Sequence, residues 1–223
     1  MKKFTPYTLI EIMVVMALAA VLVALALPAF SALMRGNSVG ITCGMIKNTL
    51  DQAQARALTE RKYVATVFDP DGSVSGLTDT QAMRNCYISE AYAFVGWVEE
   101  SAWVKLDQEA QILVLDNGGT GDAPSFPTNG NPPNMSTLQS ISSVQDAGGT
   151  NNLRGVVFTS YGNIRAPNSN FYFGVGEATL VNGNYIYKNP DSSGRETNVM
   201  AVKVNHFTGR SQIATINESG RIE

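Results

Sequence analysis

Hydrophobic residues dominate the beginning of the chain. Residues 12–27 include no charged or strongly polar side chain, and between residues 7 and 30 the only charge is that of Glu11. An apolar run of this length is typical of a membrane helix or of the hydrophobic region of a signal peptide. Lys2 and Lys3 precede the run, and basic residues beside a first hydrophobic segment stay on the cytoplasmic side. The pattern predicts a transmembrane helix over residues 7–30, with the rest of the chain beyond the membrane.

Residues 31–60 replace the continuous apolar run with one apolar residue every three or four positions. This spacing is that of one face of an α-helix, and the stripe consists of Val39, Cys43, Ile46, Leu50, Ala53 and Ala57. Gly36, Gly40 and Gly44 lower the helix propensity of the first turns and indicate a flexible or unwound stretch. A single helix over residues 7–60 would be about 80 Å long at ~1.5 Å per residue. We expect the stripe of its amphipathic second half to pack on a sheet.

Beyond residue 60 the pattern is that of short strands. β-branched and aromatic residues cluster in segments separated by turn-forming residues such as Asp69-Pro70-Asp71-Gly72. Asn182-Gly183 and the segment Asn205–Arg210 predict hairpin turns. Residues 116–152 are rich in Gly, Pro, Asn, Ser and Thr and predict a long surface loop. We therefore expect residues 61–223 to form a β-rich globular domain. Its predicted strands are Tyr63–Phe68, Asn85–Ile88, Ala93–Val98, Trp103–Leu106, Gln111–Leu115, Gly155–Thr159, Phe171–Val175, Ala178–Val181, Tyr185–Tyr187, Val199–Val204 and Ser211–Ile216.

The net charge bears on the kind of partner that the protein binds, and the cysteines bear on whether it has a disulfide. The 223 residues carry a net charge of −3, which provides no basic surface, so we expect no nucleic-acid partner. Cys43 and Cys86 permit a disulfide if the domain meets an oxidising compartment. The alternative is two small buried residues that never meet, because the sequence does not place their Cα atoms.

No set of residues in the sequence points to catalysis. His206 is the only histidine, and a lone histidine beside a turn is more often structural than catalytic. The two cysteines lack zinc-site spacing, and no phosphate loop or nucleophile elbow is present. Asp69-x-Asp71-Gly72 resembles the start of a calcium loop but lacks the later ligands, which favours an ordinary turn. We expect no enzyme activity, no metal and no cofactor.

The segment Tyr7-Thr8-Leu9-Ile10-Glu11 and the apolar residues after it closely resemble the type IV prepilin signal. In that family a short basic leader precedes an aromatic residue, Thr-Leu-Ile/Val-Glu and a long apolar helix. The resemblance covers residues 2–30 and implies a leader over residues 1–6 that a prepilin peptidase removes, exposing the amine of Tyr7. Pro6 stands where the family leader ends in Gly or Ala, and Tyr7 stands where Phe is most common.

The resemblance implies roles for Glu11 and Pro28, which become the fifth and twenty-second residues of a mature chain that begins at Tyr7. A carboxylate within an apolar helix is costly and is a functional candidate for that reason. The resemblance implies that Glu11 pairs with the terminal amine of a neighbouring subunit in a filament core, where each charge alone would be expensive to bury. The alternative is a glutamate that reaches to the headgroups. Pro28 is expected to kink or locally melt the helix, or else to mark its end.

The later segments resemble those of the H-type minor pseudopilins and FimT-like pilins. They are Asp51–Ala57 with Tyr63–Phe68, and Gly155–Phe158 with Val202–Arg210. The resemblance implies a pilin-like α+β fold, in which one long N-terminal helix packs on a C-terminal antiparallel β-sheet domain. It also implies a structural subunit, more often minor than major, of a type IV pilus or of a type II secretion pseudopilus.

The family's biology supplies the expected partners and location. The partners are other pilin or pseudopilin subunits, the prepilin peptidase, an inner-membrane assembly platform, and membrane lipid before assembly. The expected location is the inner membrane, with the C-terminal domain in the periplasm, and then the pilus or pseudopilus.

Two other classes of function stay open. One is a membrane-anchored enzyme, against which the absence of a convergent set of catalytic residues argues. The other is a secreted or anchored binding domain. An ordinary signal peptide with a cut site at Ala24-Leu25-Ala26 would yield a secreted ligand-binding or adhesive β domain, and without cleavage that domain would stay anchored. The position of Glu11 and the register of Pro28 argue against this alternative.

Overall fold

β-strands are the main secondary structure of the residues that the structure describes. The computed structural model describes residues 9–35, 37–77, 80–116, 135–146, 149–166, 170–181 and 184–216, with the backbone alone for residues 25–35, 116 and 180. The helices are α1 (Leu9–Arg35) and α2 (Ser38–Glu60), and Met135–Thr137 form a single 3₁₀ turn. The strands are β1 (Val64–Asp69), β2 (Ala82–Ile88), β3 (Phe94–Trp97), β4 (Val104–Lys105), β5 (Ala110–Asp116), β6 (Gln139–Asp146), β7 (Gly149–Phe158), β8 (Ile164–Ala166), β9 (Phe171–Val181), β10 (Asn184–Tyr187), β11 (Val199–Val204) and β12 (Ser211–Thr215).

The expected pilin-like α+β fold, with one long N-terminal helix packed on a sheet, is wrong. The helical region is two shorter helices, because α1 ends at Arg35 and α2 begins at Ser38. Gly36 has low helix propensity, and Asn37 occupies the position before the first residue of α2, where asparagine is favoured as an N-cap. The chain also divides here into two compact units, Met1–Asn37 and Ser38–Glu223, so that only α2 belongs to the β-rich unit.

The predicted single pass through the inner membrane, with the C-terminal domain in the periplasm, is also corrected. Within the described residues, neither helix combines the length and the apolarity that crossing a membrane requires.

The first sheet curves until its edges nearly meet. Its strand order is β3-β2-β1-β7-β6, with β4 beside β2 and β8 beside β7, and each of these pairings is antiparallel. The edge strands approach each other at a bridge between Ala93 and Ser142. There Ser142 N donates to Tyr92 O at 3.1 Å, and Trp97 Nε1 donates to Gln145 O at 3.0 Å. These contacts make the sheet a near-barrel. Its interior holds Ala65, Val67, Cys86, Ile88, Ile141, Val144, Leu153 and Val157.

The second sheet has the order β10-β9-β11-β12, with β5 also paired to β9. Phe171 and Phe173 of β9 lie in a core shared with Phe68 of β1, and the rings of Phe68 and Phe173 are 5.1 Å apart. β9 is one continuous strand where the sequence predicted two. Its pairing with β10 confirms the hairpin predicted there, although its turn residues 182–183 lie outside the described residues.

Helix α2 lies between the two sheets and contacts strands of both. All six residues of the stripe predicted from the spacing are buried, which confirms that part of the prediction. They share one core with residues of β1, β2 and β7 from the first sheet and of β5, β9 and β11 from the second. This single face of α2 therefore fills the space between the sheets.

Gln54 of α2 joins turns that belong to different sheets. Its Nε2 donates to the carbonyl oxygen of Gly162, in the turn between β7 and β8, at 2.9 Å. It also donates to the carbonyl oxygen of Thr208, in the turn between β11 and β12. Gly209 is required beside it, because a Cβ at that residue would lie 2.0 Å from Gly162 O and the backbone φ is +67°.

The predicted loop over residues 116–152 is partly wrong. β6 and the first residues of β7 fall within it, and they pair with each other from Gln139–Gly155 to Asp146–Gly149. β6 is rich in Ser and Gln, and only Ile141 and Val144 along it are buried. A strand that is polar on most positions gives little periodic signal.

We predict that Ile46→Ala lowers the free energy of unfolding by about 3 kcal/mol, because Ile46 is 0% exposed and the truncation leaves a cavity between the sheets. Ile41→Ala is the matched control, since Ile41 lies on the same helix and is 43% exposed. Its change should be about 1 kcal/mol or less. Urea unfolding followed by tryptophan fluorescence measures both, and equal losses would contradict the assignment of α2 as the packing centre.

Candidate functional site

Helix α1 carries apolar side chains around its whole circumference. The five consecutive residues from Ile12 to Met16 are each between 51% and 70% exposed. Five residues cover more than one turn of an α-helix, so this segment is exposed on all of its faces in the part of the chain that the structure describes. A helix that is hydrophobic all round is stable when other apolar groups surround it. α1 is therefore the candidate interaction surface.

Glu11 lies in the first turn of α1 and is the only acidic residue in the sequence of that helix. A carboxylate in a first turn is favoured by the partial positive charge of the helix N-terminus, typically by about 0.3–1 kcal/mol. Its neighbours Ile10 and Ile12 are exposed apolar residues. A partner that covers these neighbours would also bring the carboxylate out of water, and Glu11 would then require a positive group.

The other residues predicted from the prepilin resemblance are only partly within the described chain. Pro6 and Tyr7, the predicted processing site, lie outside the described residues. Pro28 lies within α1, whose backbone is helical on both sides of it. The alternative that Pro28 marks the end of the helix therefore does not hold, because α1 continues to Arg35, and the kink at Pro28 stays a prediction.

Cys43 and Cys86 are both buried free thiols. Cys43 belongs to the core beneath α2, whereas Cys86 belongs to the near-barrel interior. Met83 of the same strand as Cys86 faces the α2 core, so the first sheet separates the two thiols. Burial raises the pKa of each thiol to about 12. Of the two alternatives from the sequence, the structure has the pair of buried residues that do not meet.

The calcium-like sequence Asp69-x-Asp71-Gly72 forms a turn. Asp69 is buried, and its Oδ2 accepts hydrogen bonds from Val74 N at 3.0 Å and from Ser75 N at 2.6 Å. Burial raises the pKa of the Asp69 carboxyl. Gly72 has a φ of +75°. In the part of the chain that the structure describes, no group of three or more His, Cys, Asp or Glu residues could hold a metal ion.

His206 takes part in joining the two sheets through its backbone. Its carbonyl oxygen accepts from Ile164 N at 3.0 Å, and its N–H donates to Asn170 Oδ1 at 2.8 Å. Its ring packs edge-on against Phe207, with 5.1 Å between centroids. Through these contacts, His206 links β8 of the first sheet to the turn that follows β11 of the second.

No family model matches the chain, and comparison with curated proteins and with solved structures found no significant match.

We predict that neither thiol reacts with iodoacetamide in the native protein, because a thiol with a pKa raised to about 12 is almost entirely protonated near neutral pH. After unfolding in urea without reductant, both thiols should be alkylated, which intact mass spectrometry counts. Cys43→Ser and Cys86→Ser are matched controls that should each leave one reactive thiol. Unreactive cysteines in the unfolded, unreduced protein would show a disulfide and contradict this prediction.

Proposed function

We propose that this chain is a structural subunit, of the minor type, of a type IV pilus or a type II secretion pseudopilus, and that α1 is the element through which it assembles. The observation that carries the proposal is the apolar circumference of α1, with exposed large side chains at every position from Ile12 to Met16. The role is structural, and no catalytic step is part of it.

The physical reason for assembly is the exposed apolar area of α1. Complete burial of a Val, Leu, Ile or Met side chain contributes about 1.5–3 kcal/mol relative to leaving it exposed. A bundle of such helices from several subunits surrounds each helix on all sides, which a single flat contact cannot do. The partners of this chain are therefore other subunits with similar helices.

Glu11 would fix the axial position of each helix relative to its neighbours in that bundle. Formation of the bundle removes the Glu11 carboxylate from water, and a buried charge without a partner costs several kcal/mol. The amine of a chain that begins at Tyr7 is the partner that the prepilin resemblance implies, supplied by a neighbouring subunit. Pairing of one carboxylate with one amine permits only a small set of axial offsets between neighbouring helices.

The β-rich unit is suited to being displayed by such a filament. Its core is formed by α2 and the two sheets, from Val39 of α2 to Val204 of β11. Within the described residues, the β-rich unit therefore has a core of its own.

We predict that Glu11→Gln reduces incorporation of the subunit into filaments more than tenfold, because the neighbour's buried amine loses its counter-charge at a cost of about 3 kcal/mol or more. The measurement is the fraction of the subunit that sediments with sheared filaments from the native host, quantified by immunoblot. Glu90→Gln is the charge-matched control, since Glu90 is exposed in the β-rich unit. If Glu11→Gln is incorporated as efficiently as Glu90→Gln, the pairing mechanism is wrong.

We also predict that the protein isolated from its host begins at Tyr7 and carries a methylated amine. N-terminal sequencing and intact mass measure this directly. An intact Met1 would contradict leader removal at Pro6–Tyr7. A start near residue 27 would remove α1 as an assembly element and favour the secreted, ligand-binding alternative.

A further inference from the structure

A polar cleft opens beside the near-barrel, far along the chain from α1. β6 and β8 both pair with the edge of β7 that lies opposite β1, and the cleft lies where β6 begins and β8 ends. Its volume is about 550 Å³, within the range of small-molecule sites. Tyr92, Ser136, Thr137, Gln139 and Arg165 are among the residues that line it.

Arg165 lies beside two aromatic rings. Its guanidinium carbon lies 4.9 Å from the ring centroid of Tyr63 and 5.0 Å from that of Tyr92. Both tyrosines pack against the near-barrel interior. Ile164, the preceding residue of β8, faces the α2 core instead. The alternation along β8 therefore directs Arg165 to the near-barrel side.

The charge of Arg165 is not compensated within the described chain. No carboxylate of the described residues forms an ion pair with it within 4.0 Å. Its Nη1 is fully covered and has no hydrogen-bond acceptor among those residues. Stacking on tyrosine offsets part of the cost of removing a cation from water, but a counter-anion in the cleft would offset more.

The remaining wall supplies neutral hydrogen-bonding groups. Ser136 and Thr137 carry hydroxyls, and Gln139 carries an amide. Arg154 fixes this wall, because its Nη1 donates to Leu138 O at 3.0 Å and to Ser136 O at 3.3 Å. The cleft thus combines one oriented cation with several groups that both donate and accept.

We propose that this cleft binds a small hydroxylated carboxylate, the chemistry of an acidic sugar. The carboxylate faces Arg165, because a guanidinium held in a plane matches the two oxygens of a planar carboxylate. The hydroxyls face Ser136, Thr137 and Gln139. A single cation balances a monoanion, whereas a phosphate dianion requires more positive charge than this lining offers.

The experiment titrates the full chain with D-glucuronate and, separately, with D-glucose, followed by isothermal titration calorimetry. The two sugars differ at the carboxylate, so we expect glucuronate to bind and glucose to bind at least tenfold more weakly. Acetate should also bind more weakly than glucuronate, because it lacks the hydroxyls. Equal affinity for glucose and glucuronate, or no heat with glucuronate at millimolar concentrations, overturns the proposal. Tighter binding of inorganic phosphate overturns the carboxylate class.

Variants locate the binding. Arg165→Gln should weaken glucuronate at least tenfold, and Arg165→Lys should retain part of the affinity because the charge stays while the planar fork is lost. Arg195→Gln is the charge-matched control, since Arg195 is exposed and is not among the cleft residues. It should leave the affinity unchanged.

A second variant covers the case in which Arg165→Gln loses its fold. Thr137→Val removes one hydroxyl from the cleft wall without touching the stack on Tyr63 and Tyr92, and it should weaken glucuronate several-fold. Undiminished binding by both Thr137→Val and Arg165→Lys, with the two proteins folded, overturns the assignment of this cleft.

Discussion

Burial of one face of α2 between the two sheets is the contact on which the β-rich unit depends. Each sheet has an apolar face that must be covered, and α2 packs against strands of both sheets. Ile46 and Leu50 fill the space between them, and Ala53 and Ala57 allow the strands to approach closely near the end of the helix. A buried polar side chain also bonds to α2. Asn85 of β2 donates to Thr49 O at 3.1 Å, which satisfies an amide that would otherwise be costly to bury beside the helix.

The two helices differ in the distribution of their apolar side chains, which decides how those side chains can be buried. α2 alternates apolar and polar positions, so one face can be buried by its own chain and the other can face water. α1 has no polar face among its described side chains after Glu11, and those side chains are exposed. The break between Arg35 and Ser38 separates this apolar helix from the amphipathic α2, and the two helices belong to different compact units.

Much of the fold could be predicted from periodic patterns. The spacing from Val39 to Ala57 identified the buried face of α2, and alternating β-branched and aromatic residues located most strands to within a few residues. The low helix propensity of Gly36, Gly40 and Gly44 indicated an unwound stretch, but only Gly36 lies between the two helices, and the family resemblance favoured one continuous helix. β6 was not predicted, because Ser and Gln fill most of its positions. Its pairing with β7 is a tertiary contact that the local sequence pattern does not indicate. Arg165 gave no signal at all, since its importance arises from two tyrosines that are distant in sequence and meet it only after folding.

The cleft depends on closure of the near-barrel, because the backbone of one of its lining residues, Tyr92, takes part in that closure. Tyr92 precedes β3, and its carbonyl oxygen accepts the hydrogen bond from Ser142 that joins the two edges of the first sheet. Trp97 adds a second link through Gln145 O. Without these links β3 would be a free edge, and Tyr92 would have no fixed place opposite Tyr63. The stack that orients the guanidinium is therefore a consequence of sheet closure, just as the exposed circumference of α1 is a consequence of its composition. The two proposed surfaces belong to different compact units and rest on different interactions, so either one can be correct without the other.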